Sequence, residues 1–186
     1  MAQFPRGLFD VGIATLNATT EVVGTLIHNF NPRSVSATYQ ADTAELQGAD
    51  TRLEDLAFNE RYELSLETAG IPQAALAALE GVTLTTTGSA GTLITFFKKN
   101  VTSNQRPYVR FRAQQKDKSG GATVFTWYKT SLNGSPTWNM AQGEYDTPTL
   151  PLIAIPAGVA IASPDPIVAV GDLYGVDVYA TYGALS

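Results

Sequence analysis

From Leu56 to Glu67 the chain alternates, and this alternation limits the possible folds more than any other feature. Leu56, Phe58, Tyr62, Leu64 and Leu66 fall on one side of an extended chain. Ala57, Asn59, Arg61, Glu63, Ser65 and Glu67 fall on the other. Successive side chains of a strand point to opposite faces, so the pattern predicts one apolar face and one solvated face. The predicted strand runs for about 14 residues, against a usual ~5–6. It is longer than one small core requires, which suggests a sheet whose wet face has a task.

The surrounding sequence completes a unit. Val35, Ala37, Tyr39 and Ala41 alternate with Ser36, Thr38, Gln40 and Asp42, which predicts a strand over 35–46. Gly48-Ala49-Asp50 breaks it, leaving 42–56 as a long acidic loop or hairpin. After the long strand, Pro72 suits a first helical position, Gln73–Glu80 is rich in Ala and Leu, and Gly81 supplies a stop. So short a helix must pack Leu76 and Leu79 on the sheets to persist. Further strands are predicted at 8–16, 82–86, 92–97, 108–115, 123–130, 137–141, 147–155 and 173–181. Turns are predicted at Lys118-Ser119-Gly120-Gly121 and Asn133-Gly134-Ser135-Pro136. The expected fold is mainly β, two packed antiparallel sheets in a sandwich or barrel, with one short flanking helix. Residues 1–7 read as an N-terminal arm, 8–159 as the β domain and 160–186 as a C-terminal strand or arm.

Charge is scarce and uneven. Charged residues make up 16% of the 186 residues, against about 25% in an ordinary soluble domain. A surface covered by copies of the same chain needs few charges. From Asp42 to Glu80 nine acids face two arginines, a net of −7; from Lys98 to Lys118 seven cations face one acid, a net of +6. Such segments suit an acidic hairpin of one subunit meeting a basic strand of the next. Charge complementarity of this kind sets register and partner choice. Asp42, Glu45, Asp50, Arg52, Glu54 and Asp55 are the candidate contacts on one side, Arg110 and Arg112 on the other. The overall charge of −5 argues against general nucleic-acid affinity.

Catalytic chemistry has little to work with. There is no cysteine and one histidine, His28. No H-x-x-H, G-x-S-x-G, phosphate-binding loop or dinucleotide fingerprint occurs. Glu63 and Glu67 share a face with Arg61, as on a solvated stripe. The expectation is a protein that is not an enzyme, with no cofactor and no metal. No secretory signal and no apolar run of about 18 residues is visible, so no membrane partner is expected. Trp127, Tyr128, Trp138 and Tyr145 admit a carbohydrate-binding reading, although Phe125 and Trp127 at strand spacing suit a sheet core better.

The order of these parts resembles the major tail tube proteins of long-tailed bacteriophages. The likeness spans about 30–155. It rests on the strand at 35–46, Gly48-Ala49-Asp50, the strand ending Tyr62-Glu63-Leu64-Ser65-Leu66-Glu67, and the helix Ile71–Gly81. Tyr108-Val109-Arg110-Phe111-Arg112-Ala113 and Gly143-Glu144-Tyr145-Asp146-Thr147-Pro148-Thr149-Leu150 extend it. The resemblance implies hexameric rings in which one sheet per subunit joins an inner barrel. Rings stack into a tube through which double-stranded DNA leaves the capsid without specific binding. It implies that Ser36, Thr38, Gln40, Asn59, Arg61, Glu63, Ser65 and Glu67 face the lumen, where a neutral-to-acidic wall lets DNA slide. It further implies tape-measure, tail tip and terminator proteins as partners, assembly in the host cytoplasm and residence in the virion tail. Under the same resemblance the loop at 42–56 touches a neighbouring subunit or ring, and both termini bridge rings. Contractile-tail, bacteriocin and type VI secretion tubes share the architecture. The alternative function is a β-sandwich binding module, a virion decoration or receptor- or carbohydrate-binding domain.

Overall fold

The computed structural model describes residues 5–28, 30–48, 51–89, 92, 94–96, 106–118, 120–138, 147–160, 169–180 and 185; at 5–6, 44–48, 51–56 and 96 it describes the backbone. Among the described residues ten strands and one helix follow in the order β1 (Pro5–Leu16), β2 (Val23–Ile27), β3 (Pro32–Gly48), β4 (Thr51–Thr68), α1 (Gln73–Glu80), β5 (Thr85–Thr87), β6 (Ile94–Phe96), β7 (Val109–Asp117), β8 (Ala122–Leu132), β9 (Thr149–Ile155) and β10 (Tyr174–Tyr179). All described pairings are antiparallel.

The protein is mainly β, with two antiparallel sheets, but they are unequal. β5 and β6 form a small ribbon; the other eight strands form one sheet in the order β2-β1-β7-β8-β9-β4-β3, with β10 also on β8. The two expected layers come from this one sheet turning back until β1 lies near β3. Val11, Ile13, Val109, Phe111 and Trp127 on one half meet Leu64, Leu66, Leu150 and Leu152 on the other in a single core. Each fully buried side chain of this size contributes about 1.5–3 kcal/mol.

The helix covers Gln73–Glu80, the stretch rich in Ala and Leu, but Pro72 lies just outside it and not at its first helical position. Pro72 precedes it as the cap, and Gly81 ends it in the left-handed conformation at φ 69°. The Val82 N–H donates to the Ala77 carbonyl. Its inward face is Ala75, Ala77 and Leu79 rather than Leu76 and Leu79, since Leu76 is only half-buried.

β8 is the hub. β7 pairs along one edge, while β9 takes Lys129–Leu132 and β10 takes Ala122–Trp127 on the other. The C-terminal segment therefore returns a strand to its own sheet instead of reaching away as an arm. β1 likewise starts at Pro5, paired with Asp117, inside the stretch expected to be an arm. Residues 1–4 of that arm lie outside the described residues, as do 97–105, 139–146 and 161–168. Of the predicted strand at 137–141, the described part is a single bridge from Thr137 to Thr149.

Candidate functional site

The long alternating strand and its partner build one polar surface. β9 pairs with β4 only over Tyr62–Glu67, so beyond Tyr62 the β3–β4 hairpin continues as a ribbon of two strands. The acidic segment at 42–56 is this paired ribbon, not an open loop. Within the sheet-bound half, Ser36 lies opposite Ser65, Thr38 opposite Glu63, and Gln40 opposite Arg61. Residues paired across a ladder share a face. Ser34 donates its hydroxyl hydrogen to Glu67 Oε2 at 3.1 Å, which ties Glu67 to the same side. Asn59 joins them through its amide, which donates to Asp42 Oδ2 at 3.0 Å. All eight residues singled out on the alternating faces thus share one side of the hairpin, exposed or half-buried.

The apolar half of the pattern departs from expectation. Gln40 pairs with Arg61, yet Asp42 pairs with Phe58, so Asn59 and Glu60 together oppose Ala41. This is a bulge, and Asn59 occupies it at φ 53°, a left-handed conformation that Asn tolerates better than most residues. One extra residue exchanges the faces of everything beyond it. Phe58 therefore sits on the Asp42 side, 45% exposed, and not with Tyr62, Leu64 and Leu66. Leu56 follows it, paired with Ala44.

The proposed inter-subunit residues divide into three groups. Asp42 is exposed on the polar face. Glu45, Arg52, Glu54 and Asp55 lie on the ribbon, Glu45 opposite Asp55, Leu46 opposite Glu54 and Gln47 opposite Arg52; Asp50 is outside the described residues. Arg110 and Arg112 depart from expectation. They do share a face of β7, but they are 4% and 5% exposed, so the chain's own atoms enclose them. Small neighbours make the room. Ala14 and Gly12 lie opposite them on β1, and Leu26 reaches over Gly12. On the other side β8 bulges, Tyr128 and Lys129 together opposing Arg110. The Arg110 guanidinium carbon lies 5.9 Å from the Tyr128 ring centroid. Burial raises the Tyr128 pKa, and the Asp177 and Asp172 carboxylates raise it further while Arg110 and Arg112 oppose them. Carboxylates of the same chain thus share this region with the arginines.

Three features had little or no sequence signal. Glu21 is 5% exposed and adopts φ 52°. Its carboxylate pairs with Lys129 and accepts from the Gly158 and Val159 N–H groups at 3.1 and 3.3 Å. Lys129 also lies 4.7 Å from the Tyr108 ring centroid. Tyr39, Tyr62 and Tyr174 form an aromatic row with centroid spacings of 5.6 and 5.1 Å. Beside it a cavity of about 190 Å³ opens between the two halves of the sheet, lined by Leu8, Val35, Ala37, Ala113, Phe125 and Trp127, with Gln115 at its edge.

Trp127 and Tyr128, each 5% exposed, are interior side chains and not a sugar platform. Trp138 is 43% exposed, and Tyr145 lies outside the described residues. His28 Nδ1 is 3.6 Å from Asp10 Oδ2. Among the described residues no three His, Asp or Glu side chains converge as a metal donor set. None of the described helices is long and apolar enough to cross a membrane. No known protein family matches the sequence, and no curated protein is significantly similar to it.

Proposed function

We propose that this chain is the subunit of a phage tail tube, forming hexameric rings that stack into a conduit for double-stranded DNA. The β3–β4 hairpin carries the proposal. Its sheet-bound half presents a polar face in which Glu63 and Glu67 outnumber Arg61, and its ribbon runs on past the sheet. A wall with a slight acidic excess gives DNA no cluster of cations with which to exchange its counterions. Among the described residues no further strand covers the outer edges of β2 and β3; open edges are aggregation hazards in a monomer and become joints in a closed ring. In this reading function resides in self-assembly, with no reaction catalysed, and the protein resides in the virion tail with tape-measure, tip and terminator proteins as neighbours.

Electron microscopy of the purified protein, with the solution mass recorded alongside, tests the proposal. Rings or hollow tubes wide enough for duplex DNA are the expected outcome. Discrete particles that fail to polymerise at high concentration would overturn it in favour of a binding module. Exposed Trp138 favours that second reading, and a glycan screen then becomes the next measurement.

A further inference from the structure

Beyond Leu132 the chain stays beside β9 for a few residues more. The Asn133 N–H donates to the Pro151 carbonyl at 2.8 Å, and Thr137 and Thr149 exchange two such bonds at 3.0 and 3.1 Å. The chain takes four steps from 133 to 137 while β9 takes two from 151 to 149, so the ladder is interrupted by a bulge between two anchors. Asn133, Gly134 and Ser135 are exposed there. Gly134 adopts φ 100°, which glycine reaches without strain. A Cβ at that position would meet only the Pro151 ring, at 3.7 Å. Among the described residues no hydrogen bond engages the Asn133 side-chain amide or the Gly134 N–H.

The main-chain nitrogen after an asparagine can close a five-membered ring on its side-chain carbonyl carbon. The other described asparagines are kept from that step. Asn17 Oδ1 accepts from the Thr19 and Thr20 N–H groups at 2.9 and 3.0 Å, and the methyl of Ala18 crowds the approach. Asn31 precedes Pro32, whose nitrogen has no proton to give up. Asn59 is tied through its amide to Asp42. The geometry points to Asn133-Gly134 as a site of spontaneous covalent modification, at which the chain converts its own amide to a carboxylate. The Gly134 nitrogen yields its proton to solvent base and bonds to Asn133 Cγ. The Cγ–Nδ2 bond breaks, and ammonia leaves with a proton returned from water. Water then opens the succinimide: addition at Cγ gives aspartate, and addition at the Asn133 main-chain carbonyl carbon gives isoaspartate. One water is consumed and one ammonia released, with no change of oxidation state. The new negative charge appears next to Leu132, whose carbonyl accepts from Arg106 Nη1 at 2.9 Å, so a guanidinium stands near it. The isoaspartate form also runs the backbone through Cβ, which lengthens the chain between the Pro151 and Thr149 anchors.

The full chain is incubated folded, and in parallel unfolded in urea, under mildly alkaline conditions. Peptide mapping reads conversion at each asparagine. Isoaspartate is read by methyl transfer from labelled S-adenosylmethionine with a protein isoaspartyl methyltransferase. In the folded chain, conversion at residue 133 is expected to exceed that at Asn17, Asn31 and Asn59 about tenfold or more, a barrier difference of at least about 1.4 kcal/mol. Asn133→Gln, which would have to close a six-membered ring, is expected to lose most of the methyl label. A folded chain that keeps Asn133 intact while the unfolded chain converts it overturns the proposal, because the fold then locks the pair. Absence of conversion in both states overturns it as well, as does undiminished label in Asn133→Gln.

Discussion

A Cβ atom at Gly175 would lie 2.0 Å from the Tyr128 hydroxyl oxygen and 3.1 Å from ring carbon Cζ. Tyr128 can cross β10 only because that position has no side chain. Gly175→Ala is expected to cost about 1–3 kcal/mol, the usual penalty of overpacking, read as a lower urea midpoint. Tyr128→Phe removes the nearer atom, so the double variant recovers part of that loss through a coupling of about 0.5–3 kcal/mol. Strict additivity would mean that the hydroxyl is not what the new methyl meets. The same hydroxyl gives stability a pH dependence. Burial first, then Asp177 and Asp172, raise its pKa, so the folded state holds the phenol proton more tightly than the unfolded chain does. That contribution is complete below the unfolded value of about 10 and is lost as pH rises through the folded value. Tyr62 is raised too, chiefly by burial, and keeps its share. Tyr128→Phe is therefore expected to shrink, not abolish, the stability lost between about pH 9 and pH 11. An unchanged alkaline slope would show that the proton is not held by this site.

The bulge in β4 governs its element. Asn59→Gly keeps the left-handed backbone and loses only the tie to Asp42, so its expected cost is small. Asn59→Val places a β-branched residue at φ 53° and is expected to cost about 1–3 kcal/mol. Deleting Asn59 restores a continuous period of two and swings Phe58 to the Tyr39 side. Nuclear Overhauser contacts between Phe58 and Tyr39 should then appear; their absence would mean that the bulge moves elsewhere in the ribbon. The same position marks where sequence reading fails. Alternation places Arg61, Glu63, Ser65 and Glu67 correctly because a local pattern reports a local geometry. It misplaces Phe58 because Leu56, Phe58 and Tyr62 keep an even spacing straight through the extra residue. An Asn between Phe58 and Glu60 looks like any exposed strand position. Arg110 and Arg112 fail differently: their spacing puts them on one face, but their burial depends on Gly12, Ala14 and Tyr128, which join them only in the folded sheet.

At the scale of the whole molecule, the polar face and the core are separate designs on the same strands. Arg61→Glu or Glu63→Lys alters a surface opposite Leu64 and Leu66, so thermal unfolding should stay within about 0.5 kcal/mol of the parent. Under the tail-tube proposal, DNA delivery measured as infectivity should change. A variant that unfolds would place these side chains in the core; a folded variant with unaltered infectivity would remove this face from the DNA path. The mainly β architecture and the single helix were legible because alternation and capping are written in neighbouring residues. The folding of one sheet back on itself was not, because it depends on pairings such as β1 with β7 that join distant segments. The shared edge of β8 has a consequence for biosynthesis. Ribosomes add roughly 5–20 residues per second, and β10 emerges well after β8 and β9. Throughout that interval the Ala122–Trp127 edge lacks its second neighbour. A nascent chain therefore carries its own built-in delay, since the strand that caps this edge is the last of the described strands to leave the ribosome. Prematurely terminated chains are left with a pairing template that full translation would have hidden.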